Sequence, residues 1–349
     1  MHDHHHQAPD YKPLTPGGTL LLDAASSGHV QIAADLLRIG QVVAIPTETV
    51  YGLACVLEDS AVAKVFAAKG RPQDNPLIVH IAAPEELPAV AAEIPPAAQR
   101  AMERFWPGPL TLVLPKQPSV PLSVTAGLDT VAVRCPESAA ARALIAAVGQ
   151  PLAAPSANRS GSPSPVTAGH VAADLDGRVA AIVDGGPCVV GLESTVLDVT
   201  GPIPRLLRPG GVTAEQLEEA LGEILLDASI LQALQPGDAP RSPGMKYKHY
   251  APATPLKILR GSAASTRLFL EGSPGSGLLC PQEEEEAFAG LPVMAYTPAS
   301  LFDVLRAVDS WGVDEVYVRV PATAGVGLAV CNRLYKAAGF SIVDLENQA

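Results

Sequence analysis

The sequence predicts two α/β domains in series, a larger one built on a twisted, partly mixed sheet and a smaller, doubly wound one of Rossmann-like layout. Three observations lead there. At 349 residues the chain exceeds what one ordinary core organises and falls short of three. Apolar runs of strand length alternate with helical periods over most of it, which is the pattern of α/β layering. Between Leu221 and Pro255 the alternation stops in a stretch ending "LQALQPGDAPRSPGMKYKHYAPATP", rich in proline and turn formers, which reads as a linker. The expected boundaries are a leader at 1–19, a first domain at 20–215, a helix end and linker at 216–254, and a second domain at 255–349.

Taken in order, Ile32, Leu36, Leu37 and Ile39 recur at helical spacing and stop at Gly40, which accepts the left-handed conformation of a C-cap. "QVVAIP" follows as a buried strand. Ser60 is the candidate N-cap of a second helix, "AVAKVFAAKG", closed by Gly70. Lys69 then sits in its last turn and Arg71 just beyond, at the mouth of the strand "PLIVHIA". Further strands are expected at "PLTLVLP", "TVAVRCP", "PLAAP", "AAIVDGG" and the pair "STVLDV" and "PRLLRP", and capped helices at "SAAARALIAAVG", "TAGHVAADL" and "TAEQLEEALG". Hairpin-like spacings among these strands predict that the sheet is partly mixed. Past the linker, "LKIL", "GLLC", "PVMAY" and "DEVYVRV" read as short strands separated by helices such as "SLFDVLRAVDSWG" and "GLAVCNRLYKAAGF". Glu283 to Glu286 read as a solvated helix end or loop.

Composition narrows the function classes. A net charge of −12 disfavours nonspecific nucleic-acid binding, which needs a basic surface to neutralise many phosphates. An anionic ligand must therefore be held by a local cluster of cations. No apolar stretch approaches the roughly 20 residues of a membrane span, and the leader lacks a signal pattern, so a cytoplasmic protein is expected. His2, His4, His5 and His6 in that leader are tag-like and receive no role. Five widely spaced cysteines without a C-x-x-C pair suggest neither a zinc site nor a disulfide framework. No G-x-x-x-x-G-K-[ST] or G-x-S-x-G occurs, and "GVGLAV" at Gly325 lacks the third glycine of a dinucleotide fingerprint.

Short polar clusters stand instead at strand ends, where open α/β sheets bind ligands. "PTETVYG" offers the hydroxyls of Thr47, Thr49 and Tyr51, or is a plain strand-to-helix turn. In "KGRPQDNPLIVHIA", Lys69 and Arg71 flank a glycine, and the prolines stiffen the loop, so both can face one anion. His80 points into one layer of a buried strand, where a satisfied core histidine is the ordinary reading. Arg134, at the end of "TVAVRCP", needs an acidic partner or an acidic ligand if buried. "PSANRSGSPSP" supplies Ser156, Asn158, Ser160, Ser162 and Ser164, a cradle for phosphate or a purine edge as well as an ordinary loop. "GLESTVLD" adds Ser194 and Thr195, "RLLRPG" adds Arg205 and Arg208, and "SPGMKYKHYAP" places Lys246, Tyr247, Lys248, His249 and Tyr250 in the linker, suited to closing over a bound base.

In this order, "IPTETVYGL", "KGRPQDNPLIVHIA", "WPGPLTLVL", "TAGLDTVAVRCP", "APSANRSGSPSP", "GLESTVLD", "LLRPG" and "SPGMKYKHYAP" resemble the Sua5/YrdC family, and specifically its long Sua5 form, from about Gly28 to Pro252. Beyond residue 255 the likeness to the Sua5 C-terminal domain rests on layout. The resemblance implies a YrdC-like catalytic domain that converts L-threonine, bicarbonate or CO2 and ATP to L-threonylcarbamoyladenylate and pyrophosphate, for N6-threonylcarbamoyl modification of tRNA adenosine 37. It implies that Lys69, Arg71, Asn75, Thr130, Ser156, Asn158, Ser164 and Arg208 hold ATP, with Tyr247 or Tyr250 reaching the nucleotide from the linker. Thr47, His80, Arg134 and Ser194 would hold threonine, and Lys69 and Arg71 would be the catalytic cations. Mg²⁺ is implied with ATP, its protein ligands unknown. The tRNA threonylcarbamoyl transferase machinery is the implied recipient; direct nucleic-acid binding and a membrane are not required. Two rivals stand beside this reading. A transferase forming carbamoyl adenylate would carry extra zinc-finger and acylphosphatase-like regions, absent here, and a double-stranded RNA-binding module conflicts with the charge of −12.

Overall fold

The computed structural model describes residues 18–232 and 249–346. The first unit runs β1 (Leu20–Asp23), α1 (Ser27–Arg38), β2 (Val43–Ile45), β3 (Gly52–Val56), α2 (Asp59–Lys69), β4 (Ile78–His80), α3 (Pro96–Phe105), β5 (Leu110–Pro115), α4 (Leu122–Thr125), β6 (Thr130–Arg134), α5 (Ala139–Val148), β7 (Leu152–Ala153), α6 (Ala168–Leu175), β8 (Ala181–Asp184), β9 (Thr195–Asp198), β10 (Arg205–Arg208), α7 (Ala214–Leu221) and β11 (Leu225–Leu226). Among the described residues these eleven strands form one sheet in the order β1-β8-β2-β3-β7-β4-β6-β5-β9-β10-β11. Its central strands are apolar and buried on both faces, as a sheet covered on both sides requires. Antiparallel pairs β2–β3, β5–β6 and β9–β10 among parallel ones make it mixed.

The second unit comprises β12 (Leu256–Arg260), α8 (Ala263–Glu271), β13 (Ser276–Pro281), β14 (Val293–Tyr296), α9 (Leu301–Ala307), β15 (Glu315–Val318), α10 (Gly327–Ala337) and β16 (Ile342–Asp344). Its strands are all parallel, in the order β14-β13-β15-β12-β16. One apolar core runs unbroken from the large sheet into this unit through Tyr250, Phe302 and Leu334. The two units therefore pack on each other rather than hang on a tether.

Local sequence reading departs from this structure at definite places. α1 starts earlier than the apolar period suggested, because Ser26 accepts from His29 N and caps it. Ser60 is not a cap: α2 already begins at Asp59, behind Glu58, whose side chain makes no capping bond. "PTETVYG" leads into a strand, β3, and not into a helix. The first sheet also extends past residue 215, since α7 reaches Leu221 and β11 pairs in parallel with β10. Glu284 lies in a 3₁₀ turn and is bound by Arg319.

α10 is the unusual helix. It is buried from Leu328 to Ala337, yet carries Asn332, Arg333 and Lys336. A helix hydrophobic all round belongs in a core; one that buries two cations there needs polar partners for them.

Candidate active site

The cleft opens where the C-terminal ends of β4 and β6 meet three loops, 46–51, 155–164 and 193–194, and the segment 208–210. The sequence makes these loops by breaking each strand with proline or glycine. Leu53 N donates to Pro155 O and Ala157 N to Tyr51 O, which stitches the first two loops side by side. Gly210 permits a close approach of two backbone segments, since a Cβ there would stand 2.3 Å from Thr195 N and 2.4 Å from Glu193 O. Only glycine fits such contact between two backbones.

One lobe gathers the cations. Lys69, at the end of α2, is aimed inward because Gly70 turns the chain in the left-handed conformation, φ 61°. Its Nζ donates to Ser156 O, to Asn158 O at 2.7 Å and to Asn158 Oδ1 at 3.3 Å. These are carbonyl dipoles, which orient the ammonium without cancelling its charge. Arg71 is held loosely, by Nη2 contacts of 3.4 and 3.3 Å to the carbonyls of Asn75 and Pro76. Neither cation ion-pairs with a carboxylate among the described residues. Burial, and then Arg71, drive the Lys69 ammonium well below its ordinary range. Burial also brings Arg71 and Arg208 each down to about 10. Arg71 Nε, Asn75 Oδ1 and His249 Nε2 are buried without a hydrogen-bond partner among the described residues. Buried polar atoms are normally satisfied, so the two on cleft-lining residues, Arg71 Nε and His249 Nε2, make this lobe the candidate ligand position.

The other lobe is neutral in sum. Arg134 Nη2 contacts Glu48 Oε1 at 2.5 Å and Nη1 donates to Thr49 Oγ1 at 2.8 Å. Burial pushes the Glu48 carboxyl up, but Arg134 and backbone N–H groups outweigh it and hold Glu48 ionised. Thr47 Oγ1 donates to Val50 O at 2.6 Å. His80 Nδ1 lies 3.1 Å from Ile78 O, an acceptor, so Nδ1 carries the proton and Nε2 is an acceptor. Burial, with Arg134 next, lowers His80 to about 3, so it stays neutral at physiological pH. Ser194 Oγ joins the lobes, 2.7 Å from Thr111 Oγ1 and 3.1 Å from Arg208 Nη2.

Of the residues singled out in the sequence, Lys69, Arg71, Ser156, Asn158, Ser164, Arg208, Thr47, His80, Arg134, Ser194 and Tyr250 line this one cleft. Asn75 is buried behind the Arg71 loop. Thr130 shares the sheet face of Ala132 and Arg134 but stands at the other end of β6, roughly 13 Å of strand away. Between lies a separate apolar patch of Ile78, Val113, Ala132, Val196 and Leu207. Tyr247, with Lys246 and Lys248, lies outside the described residues. Tyr51 does not line the cleft: its hydroxyl donates to Gly186 O at 2.7 Å, just past the end of β8.

Comparison with known proteins gives a consistent answer. The Sua5, YciO and YrdC family model, described as telomere recombination, matches residues 35–210, and the model described as threonylcarbamoyl-AMP synthase, C-terminal domain, matches 212–339. The chain belongs to the Sua5/YrdC family. Proteins named threonylcarbamoyl-AMP synthase from Pyrococcus abyssi and Bacillus subtilis are 45% and 47% identical to it, over 90% and 92% of this chain and 96% of each relative. The crystal structure of P. abyssi Sua5 complexed with L-threonine superposes with a TM-score of 0.87 at 41% identity, covering 93% of this chain and 99% of that one. A P. abyssi Sua5 variant with a histidine and a tyrosine replaced by alanine gives 0.85.

Sequence reading missed several residues that line the cleft or support it in this Sua5-family chain. Thr111 looked like an ordinary β5 residue, Glu48 like part of a turn, and Glu193 like a spacer beside Ser194. The signal for Glu48 and Glu193 was available in part, since each is an acid inside an otherwise apolar and hydroxyl-rich motif. Their partners, Arg134 and Arg333, lie too far along the chain to be read from spacing.

Proposed function

We propose that this chain is an L-threonylcarbamoyladenylate synthase, forming threonylcarbamoyl-AMP and pyrophosphate from L-threonine, CO2 or bicarbonate, and ATP. The observation that carries the reading is the placement of Lys69, buried, and Arg71, half-buried, in one cleft with Arg134 and His80, neither of the first two paired with a carboxylate among the described residues. Family membership and the names of the two relatives support it.

In this reading the triphosphate lies against Lys69, Arg71 and Arg208. The adenine extends over Ile78 and Ala132 toward Thr130, and Asn75 supports the Arg71 loop from behind. Ser164 Oγ donates to Glu193 Oε1 at 2.5 Å, so toward a ligand it acts as an acceptor, which suits a ribose hydroxyl better than a phosphate oxygen. Threonine's carboxylate meets the N–H groups that Arg134 does not spend on Glu48, Thr49 and Gly108. His80 Nε2 accepts from the threonine side; with a pKa of about 3 it is an acceptor and not the base for the amine.

Chemistry then needs no protein nucleophile. Neutral threonine amine adds to CO2, forming the N–C bond and releasing a proton to solvent. A carbamate oxygen attacks the α-phosphorus, the bond to the bridging oxygen breaks, and pyrophosphate leaves with the electron pair. The protein's contribution is positioning and charge stabilisation by fixed cations. Mg²⁺ would enter with ATP; Glu48 and Glu193 are both spent on arginines, so phosphate oxygens and water suit it better than protein carboxylates.

His249 and Tyr250 line the cleft where the linker returns, held by Ala251 N donating to Gly161 O at 2.9 Å, and we read this segment as a lid. The adenylate would pass to a tRNA-modifying transferase in the cytoplasm. The test is to incubate the full chain with ATP, Mg²⁺, bicarbonate and each amino acid in turn. Pyrophosphate and an adenylate that depend on threonine are expected; ATP turnover indifferent to threonine would exclude this function.

A further inference from the structure

α10 belongs to the C-terminal unit, yet one of its side chains ends inside the catalytic unit. Arg333 is fully buried. Its Nε donates to Glu193 Oε2 at 2.8 Å, its Nη1 to Pro209 O at 2.7 Å and to Asn332 Oδ1 at 3.0 Å, and its Nη2 to Glu193 O at 3.4 Å. Its guanidinium carbon stands 5.7 Å from the centre of the Tyr250 ring. Apart from Asn332, its neighbour on α10, each of these partners belongs to the cleft or adjoins a residue of it. Glu193 Oε1 accepts a hydrogen bond from Ser164 Oγ, and Glu193 precedes Ser194 in the chain; Pro209 follows Arg208; Tyr250 closes the linker side.

We propose that Arg333 is a positioning residue for nucleotide, acting from the C-terminal domain through Glu193 and Pro209 to set Ser164, Ser194 and Arg208 in the cleft. A planar fork suits this task, since one rigid group satisfies a carboxylate, a backbone carbonyl and an aromatic face at once. Its charge also matters. Glu193 is a buried carboxylate that Arg333 engages through Oε2 while Ser164 donates to Oε1, and both Arg333 and Arg208 favour its ionised form. The C-terminal unit docks through other contacts too, including Arg306 with Asp174 at 2.8 Å and Gly325 N to Glu215 at 3.0 Å. Arg333 can thus be altered with the interface still tethered.

The inference rests on the ATP-site reading above. Its test measures ATP affinity by calorimetric titration, KM and kcat for ATP from pyrophosphate release, and thermal melting, all on the full chain. Arg333→Met leaves Glu193 buried without its cation, so Arg333→Met with Glu193→Gln removes that burden and isolates the loss of alignment. Both variants should bind ATP at least about tenfold more weakly than the parent, with KM raised more than kcat is lowered. Arg333→Lys keeps a charge but not the fork, and is expected to recover only part of the affinity; if the methionine variants do not fold, it decides the matter by an ATP KM raised about fivefold or more. Folded variants that melt lower yet bind ATP as the parent does would reduce Arg333 to a structural residue and overturn the proposal. A parent chain with no saturable ATP binding would overturn the ATP-site reading itself, and this proposal with it.

Discussion

Arg208 Nη2 donates to Ser194 Oγ at 3.1 Å, and Arg208 Nε donates to Ser194 O at 3.0 Å. In the proposed reading, one guanidinium on the nucleotide side thereby fixes the residue that closes the amino-acid side. The proposed reaction joins two substrates whose lobes must be held in register, and this pair would be the strut between them.

Arg208→Lys keeps the charge and loses the two-pronged grip. Both the ATP and the threonine KM should rise together, by about tenfold. Steady-state pyrophosphate release, varying each substrate in turn, checks this; a rise confined to ATP would mean that Ser194 is held by other means.

Among the described residues Arg71 makes only long hydrogen bonds, so its removal costs the fold little. Arg71→Ala should lower pyrophosphate release by roughly 10²-fold or more, with the melting temperature nearly unchanged, because what is lost is charge opposite the transferring phosphoryl group. Normal turnover in this variant would remove Arg71 from the catalytic set.

The pH dependence of stability follows from His80. Its pKa falls from 6.5 in the unfolded chain to about 3 when folded. Between those values the unfolded state binds the proton and the native state does not, so the stability His80 contributes is present above 6.5 and is lost as pH falls toward 3. By pH 5 the loss reaches about 2 kcal/mol. His249, also held near 3, adds to the decline. Melting curves at pH 5 and 7.5 should show a smaller drop for His80→Gln than for the parent; equal drops would contradict the neutral, buried assignment.

Gly210→Ala should be far more damaging than its size suggests. The new methyl meets backbone on both sides, at Thr195 N and Glu193 O, so no rotamer change relieves it. About 3 kcal/mol of destabilisation is expected in chemical unfolding, together with a raised threonine KM from displaced Ser194. An alanine variant as stable as the parent would show that 193–195 and 208–210 do not need their close approach.

How far the site could be read in advance is clearest from its two arginine–glutamate pairs. Lys69 and Arg71 were legible because a helix end, a left-handed glycine and a proline-stiffened loop are all local features. The strand-end position of Arg134 was equally local, and its burial was readable from its neighbours. Glu48 was not recognised as the partner, since the pairing depends on the register of β2, β4 and β6, which no short window contains. Arg333 was less legible still. "CNRLYK" looks like an amphipathic helix with a polar face, and only the docking of α10 against the first unit buries that face. Among the strands, β3 was lost because "PTETVYG" carries the residues of a turn; long-range pairing with β2 and β7 makes the chain after it a strand.

The central claim is that Lys69 and Arg71, unpaired with acid among the described residues, receive a triphosphate beside an amino acid. A crystal structure of the full chain with a non-hydrolysable ATP analogue and L-threonine tests it most directly. The account predicts phosphate oxygens within hydrogen-bond reach of Lys69 and Arg71, and the threonine carboxylate on Arg134. Phosphates bound elsewhere, with the Lys69 ammonium still spent on Ser156 and Asn158 carbonyls, would contradict it.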